Sequence, residues 1–335
     1  MRFRPADRRR RLPVTQGTLA RLALTCGFRS VRTSREPPIA TTVRTIERTS
    51  EPPKLRLGQR VRELWSFREV LLNLVRKELK VKYTGSVLGA IWSLLNPLVF
   101  LGVFYFVGQI LGAAATNYPV FLLAGLLPWN LFSASLSQGA VSVIMNANLV
   151  KKVYFPREIL PLATIGVALV DFVLQSLVFF AVLIIFGYGF VLDTIWLYPI
   201  AFAGLLVFTT AMAFWVSSVN VRYRDITHLI GLALLVWFWL TPIVYAAGVV
   251  HSKLLERFSH GELLWRIYLL NPMAWIVSGF QTALYHSFND HPVLIPISAG
   301  HLGVSLVVVL VLATLLLYGT WRVFFGMSGD FAEEL

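Results

Sequence analysis

Long apolar tracts alternate with short charged segments along most of this chain. Residues 83–150 contain no Asp, Glu, Lys or Arg over 68 positions, and within residues 159–221 only Asp171 and Asp193 carry charge. A helix that crosses a bilayer needs about 20 predominantly apolar residues. The pattern therefore predicts an all-α polytopic membrane protein with six transmembrane helices, over residues 87–111, 119–143, 160–186, 195–218, 228–247 and 300–321.

Two of the predicted helices contain proline, Pro128 in the second and Pro242 in the fifth. Neighbouring helices accommodate such interruptions in a membrane. Between the fifth and sixth helices, residues 248–299 form an outer segment with one amphipathic stretch and a short apolar stretch over 272–288. The apolar stretch is short for a span and favours a re-entrant or interfacial helix. The alternative is a seventh span, which would place the C-terminus outside the cell.

The positions of Lys and Arg predict the orientation of the chain. Basic residues precede the first predicted helix, and the loops "GAAATN" and "GYGFVLDT" contain no Lys or Arg. Short loops rich in Lys and Arg stay in the cytoplasm. Both termini are therefore expected in the cytoplasm, together with the basic residues of the alternate loops: Lys151, Lys152, Arg157, Arg222, Arg224 and Arg322.

Residues 63–83 precede the first predicted span and have an amphipathic helical pattern. Apolar residues recur at helical spacing in "LWSFREVLLNLVRKELKVKY", and cationic residues flank them. This pattern is typical of a helix that lies in the membrane interface with its cations toward the lipid headgroups.

The charge of the chain is concentrated at its N-terminus. Of the net +13, residues 1–62 carry +12, with 16 Lys and Arg against 4 Asp and Glu, and the remaining residues carry +1. The first segment is rich in Arg, Pro, Ser and Thr, a composition typical of disorder. A cytoplasmic tail that faces anionic lipid is favoured over binding to nucleic acid. Cys26 is the only cysteine, so an intrachain disulfide is excluded.

The sequence contains no motif of a known catalytic centre. A phosphate-binding loop of the form G-x-x-x-x-G-K-[ST] is absent, and so are H-E-x-x-H, C-x-x-C and G-x-S-x-G. The six histidines have no metal-ligand spacing, so neither a metal nor a catalytic residue is predicted. Within the third helix, Asp171 and the nearby Gln175 are expected to form a polar clamp between helices or to contact substrate.

Several segments resemble the permease subunits of ABC-2 type exporters of polysaccharide or polyol phosphate. The similar segments, in the family's order across residues 63–335, are "KYTGSVLGAIWSLLNPLVFL", "GLLPWNLF", "FPREILPLA", "VRYRDITHLI", "LNPMAWIVSGFQTALY" and "FAEEL". The resemblance implies a transmembrane domain over residues 84–335, a homodimer, and two copies of a separate ATPase subunit that binds ATP and Mg. It also implies a lipid-linked glycan as substrate.

By this resemblance, residues 148–161 are the coupling helix that contacts the ATPase. Aromatic side chains would fill an apolar slot there and charged ones would pair at its rim. The alternative is a plain basic cytoplasmic loop. The residues expected at the ATPase contact, including a second loop, are Lys151, Lys152, Tyr154, Phe155, Pro156, Arg157, Glu158, Arg222, Arg224 and Asp225.

Aromatic and cationic residues supply the candidates for substrate contact. Aromatic faces suit the C–H faces of sugars, although core or lipid-facing packing explains single aromatics equally well. The expected substrate path consists of Trp92, Asn96, Phe100, Phe104, Trp237 and Tyr245. Where a lipid diphosphate enters from the cytoplasm, cationic contacts are expected from Lys77, Lys80 and Lys82.

The sequence thus predicts the cell-membrane permease subunit of an ATP-driven exporter of lipid-linked polysaccharide, not an enzyme. Two alternatives stay open. One is an ABC-2 exporter of a drug or small lipid, and the other is a multi-span membrane enzyme acting on a lipid-linked glycan.

Overall fold

A computed structural model describes residues 57–84, 91–111, 118–185, 187, 192–285 and 298–334. Within these ranges every regular element is a helix. In chain order they are α1 (Leu57–Ser66), α2 (Arg68–Tyr83), α3 (Ile91–Leu111), α4 (Tyr118–Met145), α5 (Ala147–Lys152), α6 (Ile159–Ile185), α7 (Leu197–Arg222), α8 (Ile226–Trp239), α9 (Ala247–Arg257), α10 (Gly261–Tyr268), α11 (Pro272–Leu284), α12 (Ala299–Ser328) and α13 (Phe331–Glu334).

Four described helices are long and apolar enough to cross a membrane, namely α4, α6, α7 and α12. Each corresponds to a predicted span with similar bounds. The other two predicted spans correspond to α3 and α8, whose described apolar stretches are shorter, Leu98–Val107 and Ile226–Trp239. Residues 85–90, at the start of the first predicted span, lie outside the described residues.

Helix α8 ends at Trp239 and does not continue to residue 247 as the sequence predicted. Pro242 has no N–H to donate and its ring clashes with the carbonyl four residues earlier, so a helix stops before it. The Pro242 carbonyl instead accepts a hydrogen bond from Gln281 Nε2 at 2.9 Å. The prediction that Pro242 lies inside a helix is therefore wrong, whereas Pro128 does lie inside α4.

The predicted amphipathic helix consists of two helices that meet at Phe67. Helical structure begins at Leu57, six residues before the predicted start, within the range assigned to the basic tail. Helix α2 packs closely along α6: a Cβ atom on Gly166 would lie 2.7 Å from Val75 Cγ2, so only glycine permits this approach.

The buried apolar side chains form one large core, a smaller one, and a small cluster around Ala247 and Trp265. The large core lies among α4, α6, α7, α8, α11 and α12. The smaller core gathers the end of α4, the start of α6, the ends of α7 and α12, and one face of α2. We call the end of the bundle that contains this smaller core the basic end, because the exposed residues Lys151, Lys152, Arg222 and Arg224 lie there.

The outer segment contains α9, α10 and α11, and the last of these is buried in the bundle. Helix α11 has 13 residues, fewer than the roughly 20 that a span requires. Asn271 caps α11 by accepting a hydrogen bond from the Met273 N–H at 3.0 Å. The same side chain accepts from Trp237 Nε1 at 2.8 Å and donates to the Leu240 carbonyl at 3.1 Å. One amide therefore joins the end of α8 to the start of α11.

We expect Asn271→Ala to lower the free energy of unfolding of the purified protein by about 1–3 kcal/mol, because it removes a helix cap and leaves the indole N–H of Trp237 without its acceptor. Thermal unfolding in detergent measures this change. The matched control is Asn73→Ala, since Asn73 is exposed on α2. An equal loss in both variants would contradict the joining role of Asn271.

Candidate functional site

The predicted coupling helix is a short helix followed by six non-helical residues. Helix α5 ends at Lys152, residues 153–158 are non-helical, and α6 begins at Ile159. Pro156 favours the interruption, because a proline ring in a helix clashes with the carbonyl four residues earlier, and α5 ends at Lys152. Tyr154 is 83% exposed, whereas Phe155 is 6% exposed and lies in the smaller core. The sequence predicted both of these adjacent aromatics at the ATPase contact, but one side chain is exposed and the other is buried.

Glu158 is the polar centre of this region. Its carboxylate is fully buried and accepts two hydrogen bonds from Arg60, from Nε to Oε1 and from Nη2 to Oε2, each 2.9 Å long. Trp321 Nε1 donates to Oε1 at 3.3 Å. Glu158 therefore joins α1, the start of α6 and α12. It was predicted as a rim charge for a partner, but its carboxylate is occupied within its own chain.

Arg60 contacts Glu63 and Phe325 in addition to Glu158. Its Nη1 donates to Glu63 at 2.6 Å, and its guanidinium lies 4.7 Å from the ring centre of Phe325. Burial by itself lowers the pKa of Arg60, but hydrogen bonds and charge from Glu158 and Glu63 outweigh it and raise the pKa overall. The cation therefore stays charged, which a buried carboxylate partner requires.

Arg157 sits beside this ion pair, with its guanidinium 6.0 Å from the ring centre of Phe331. Burial lowers the pKa of Arg157, and the charge of Glu158 offsets part of that effect. Its Nη1 is buried and has no hydrogen-bond partner among the described residues. A buried guanidinium N–H without an acceptor is costly, and Arg157 Nη1 is such a donor.

The exposed residues of the basic end form two neighbouring groups. Lys151 and Lys152 end α5, and Arg222, Arg224 and Asp225 lie at the turn between α7 and α8. All five are exposed. Together with Tyr154 they form a cationic surface, and we call this set the basic surface. The exposed ring of Tyr223 lies in the same turn as Arg222 and Arg224.

A second polar group lies among the apolar helices, at the end of α2. Asp171 is 8% exposed within α6. It accepts hydrogen bonds from Lys82 Nζ and from the Tyr83 hydroxyl, both 2.5 Å long. Asp171 therefore joins α6 to α2. Lys82, predicted as a cation for a diphosphate, is paired with this carboxylate.

Polar side chains continue from this ion pair into a cleft between α4 and α6. Asn130 Nδ2 donates to Gln175 Oε1 at 3.1 Å. The cleft has a volume of about 350 Å³. We call it the polar cleft, and its lining is Lys82, Asn130, Leu131, Ser133, Ala134, Ser137, Ala168, Asp171, Phe172 and Gln175.

The two other predicted cations for substrate uptake lie on the exposed face of α2. Lys77 Nζ lies 3.2 Å from Glu78 Oε1 and 3.4 Å from Asn146 Oδ1. Lys80 is exposed, and no ion pair involves it within the described part of the chain. The three lysines therefore have three different environments.

The predicted substrate-path aromatics divide into two groups. Phe100 stacks on Phe104 at 5.9 Å, and these side chains contact Phe238 and Trp239 of α8 at 6.2 and 6.3 Å. This contact brings α3 against α8.

The other two aromatics have structural contacts. Trp237 packs in the core against Phe132 at 5.1 Å and donates to Asn271. The Tyr245 hydroxyl donates to the Trp239 carbonyl. The side chains of Trp92 and Asn96 lie outside the described residues.

Sequence reasoning missed Arg60, Asn130 and Trp321. Arg60 lies in a segment interpreted as a tail, although its apolar residues have the helical spacing that α1 uses. Asn130 is a polar residue within the apolar run "GLLPWNLF", which was a usable signal. Trp321 had no distinguishing signal, because an aromatic near the end of a span is common.

These features define a polytopic helical membrane protein with a cationic surface at one end. Residues 69–285 match the family described as "ABC-2 type transporter", and the chain belongs to this family. The resemblance inferred from the sequence is thereby confirmed.

Two bacterial relatives have transport names. The chain is 29% identical over 280 residues to the O-antigen export system permease protein RfbA of Myxococcus xanthus. The aligned region covers 82% of this chain and 98% of the relative. It is 33% identical over 186 residues to a protein of the same name in Klebsiella pneumoniae, covering 55% of this chain and 72% of the relative.

We expect Arg60→Met and Glu158→Gln each to lower the free energy of unfolding by roughly 3 kcal/mol, because each leaves a buried polar partner uncompensated. The double variant should cost less than the sum of the two by about 1–3 kcal/mol, since the second change removes the group that the first one left alone. Chemical denaturation of the protein in detergent measures all three variants.

The control for this cycle is Lys253→Met with Glu256→Gln. These residues form an exposed ion pair of 2.9 Å on α9, which should contribute little. Strict additivity of Arg60→Met and Glu158→Gln would show that the two groups do not stabilise each other.

Proposed function

We propose that this protein is the membrane-spanning subunit of an ATP-driven exporter that moves a lipid-linked polysaccharide across the cytoplasmic membrane. The observation that carries the proposal is its similarity to an O-antigen export permease along 98% of that relative. The proposal fits a chain without a phosphate-binding loop, because the energy then comes from a separate ATPase subunit that binds ATP and Mg.

The basic surface is the proposed contact with the ATPase. It combines exposed cations with the exposed ring of Tyr154, a composition that gives electrostatic steering and one aromatic anchor. Phe155, Pro156 and Glu158 act differently in this scheme, because they are buried in their own chain. They fix the contact residues to α1, α6 and α12, so that a push on α5 displaces those helices.

The assembly we infer contains two copies of this chain and two ATPase subunits, with six spans per copy. In this arrangement α3 and α8 complete the set of spans, and their shorter apolar stretches are shielded by a second copy. Both termini and the basic surface face the cytoplasm, in accordance with the distribution of Lys and Arg. The contact between α3 and α8 through Phe100 and Phe238 lies beside the proposed substrate path.

The polysaccharide is favoured over a drug or a small lipid because relatives of matching length are named for O-antigen export. Deleting the gene in its native host should leave finished polymer inside the cell, and restoring this chain with its ATPase should return polymer to the surface. Immunoblots of surface and total polymer measure this. Normal surface polymer in the deletion strain would refute the proposed export function.

We expect Tyr154→Ala to weaken ATPase association by at least about fivefold, because an exposed aromatic at the centre of an interface contributes more than 1 kcal/mol. Thermal unfolding of the permease should not change. Phe155→Ala, in contrast, should lower the free energy of unfolding of the permease by about 3–5 kcal/mol, since it leaves a cavity at a buried site. Co-purification of the ATPase and thermal unfolding measure the two effects.

The matched control is Tyr318→Ala, because Tyr318 is an exposed tyrosine on α12 that is not one of the residues of the basic surface. It should bind the ATPase normally. Full ATPase association in Tyr154→Ala would exclude Tyr154 from the contact.

A further inference from the structure

The polar cleft lies deep among apolar helices. Asn130 is near the middle of α4, and Asp171 is about 18 Å along α6 from its first residue at 1.5 Å of rise per residue. Next to the cleft, α6 exposes Val170 and Val173, which are suited to lipid. A polar pocket therefore opens where the surrounding membrane is hydrocarbon.

Hydrocarbon chains cannot form hydrogen bonds with the polar groups that line this cleft. Buried hydroxyl, amide and carboxylate groups require hydrogen-bond partners, and lipid chains supply none. The cleft contains two amides and two serine hydroxyls in addition to its ion pair. Its volume of about 350 Å³ lies at the lower end of the range for small-molecule pockets, about 300–1,000 Å³. These groups have partners within the chain, and a ligand rich in hydroxyls can bond to their remaining donor and acceptor positions.

The charge of the cleft distinguishes between possible ligands. Among the described residues that line it, Lys82 is the one cation and Asp171 the one anion, and they lie 2.5 Å apart. The net charge of the lining is therefore zero. A phosphate would compete with Asp171 for Lys82 and meet like-charge repulsion from that carboxylate. An uncharged ligand meets no such penalty.

We propose that the polar cleft binds an uncharged sugar. Amide, hydroxyl and carboxylate groups can each exchange hydrogen bonds with sugar hydroxyls, and the ring of Phe172 offers an apolar wall for the C–H face. The sugar would be that of a lipid-linked glycan, and this assignment of its source rests on the proposed function. The diphosphate of such a lipid would bind elsewhere.

Cysteine protection tests the proposal on the full chain in lipid nanodiscs. Cys26 is replaced by Ser, and Ser137→Cys places a reporter thiol at the exposed edge of the cleft. A small methanethiosulfonate reagent should label this thiol, because a cleft lined by polar groups is expected to hold water. Octyl glucoside below its micellar concentration should slow the labelling several-fold. Octyl tetraoxyethylene and decyl phosphate should not, since the first lacks a sugar and the second is anionic.

Two further variants complete the test. Asn130→Leu and Gln175→Leu should each weaken protection by octyl glucoside about fivefold, the effect of one neutral hydrogen bond. Thr314→Leu is the matched control, because Thr314 is an exposed polar residue on α12 whose hydroxyl donates to its own helix at 2.8 Å. If Ser137→Cys does not fold, Ser133→Cys reports on the same cleft.

The outcomes separate clearly. Labelling without sugar protection would mean a cleft that holds only water, and protection by decyl phosphate would mean an anion site; each overturns the proposal. Failure of the reagent to reach either cysteine would overturn it too. Because binding is measured without ATPase or polymer, sugar protection in a protein that proves not to export glycan would refute the proposed function alone. Normal export with no protection would refute the sugar site alone.

Discussion

A fully buried carboxylate is stable only when a cation and further donors surround it, and Glu158 meets this requirement by drawing three elements together. Arg60 reaches it from α1 and Trp321 from α12, while Glu158 itself precedes the first residue of α6. This arrangement of the basic end keeps that charge paired. The position of α5, the burial of Phe155 and the outward direction of Tyr154 follow from it.

A second ion pair extends the same constraint along α2. At its C-terminal end, Lys82 contacts Asp171 of α6, and near its middle Val75 meets Gly166 without an intervening side chain. Helices α1 and α2 are thus tied to α6 through Glu158 at one end and Asp171 at the other. A helix pair that composition alone assigns to the lipid interface is therefore also attached to the transmembrane bundle.

The segment between α5 and α6 combines exposed and buried residues. Val153 and Tyr154 are exposed whereas Phe155, Pro156 and Glu158 are buried, so one part of the segment is available to a partner and the other is held within the chain. In the proposed exporter this division is what transfers force: the exposed residues receive it, and the buried ones carry it to α1, α6 and α12. A loop that held only basic residues would bind a partner without this mechanical connection.

The sequence by itself determined the helical class, the bounds of the four long apolar helices and the family, because bilayer thickness and the cost of polar groups in hydrocarbon are recorded directly in residue order. Local chemistry also identified Asp171 and Gln175 as unusual. Only the tertiary structure decided their partners, since Lys82 and Asn130 are distant in the chain from the groups they contact. It also decided that Phe155 and Glu158 face inward while Tyr154 faces outward. The local sequence does not distinguish Tyr154 from Phe155, because both are aromatic residues in the same short segment. The packing of α1 and α12 against this segment determines which of its side chains are buried.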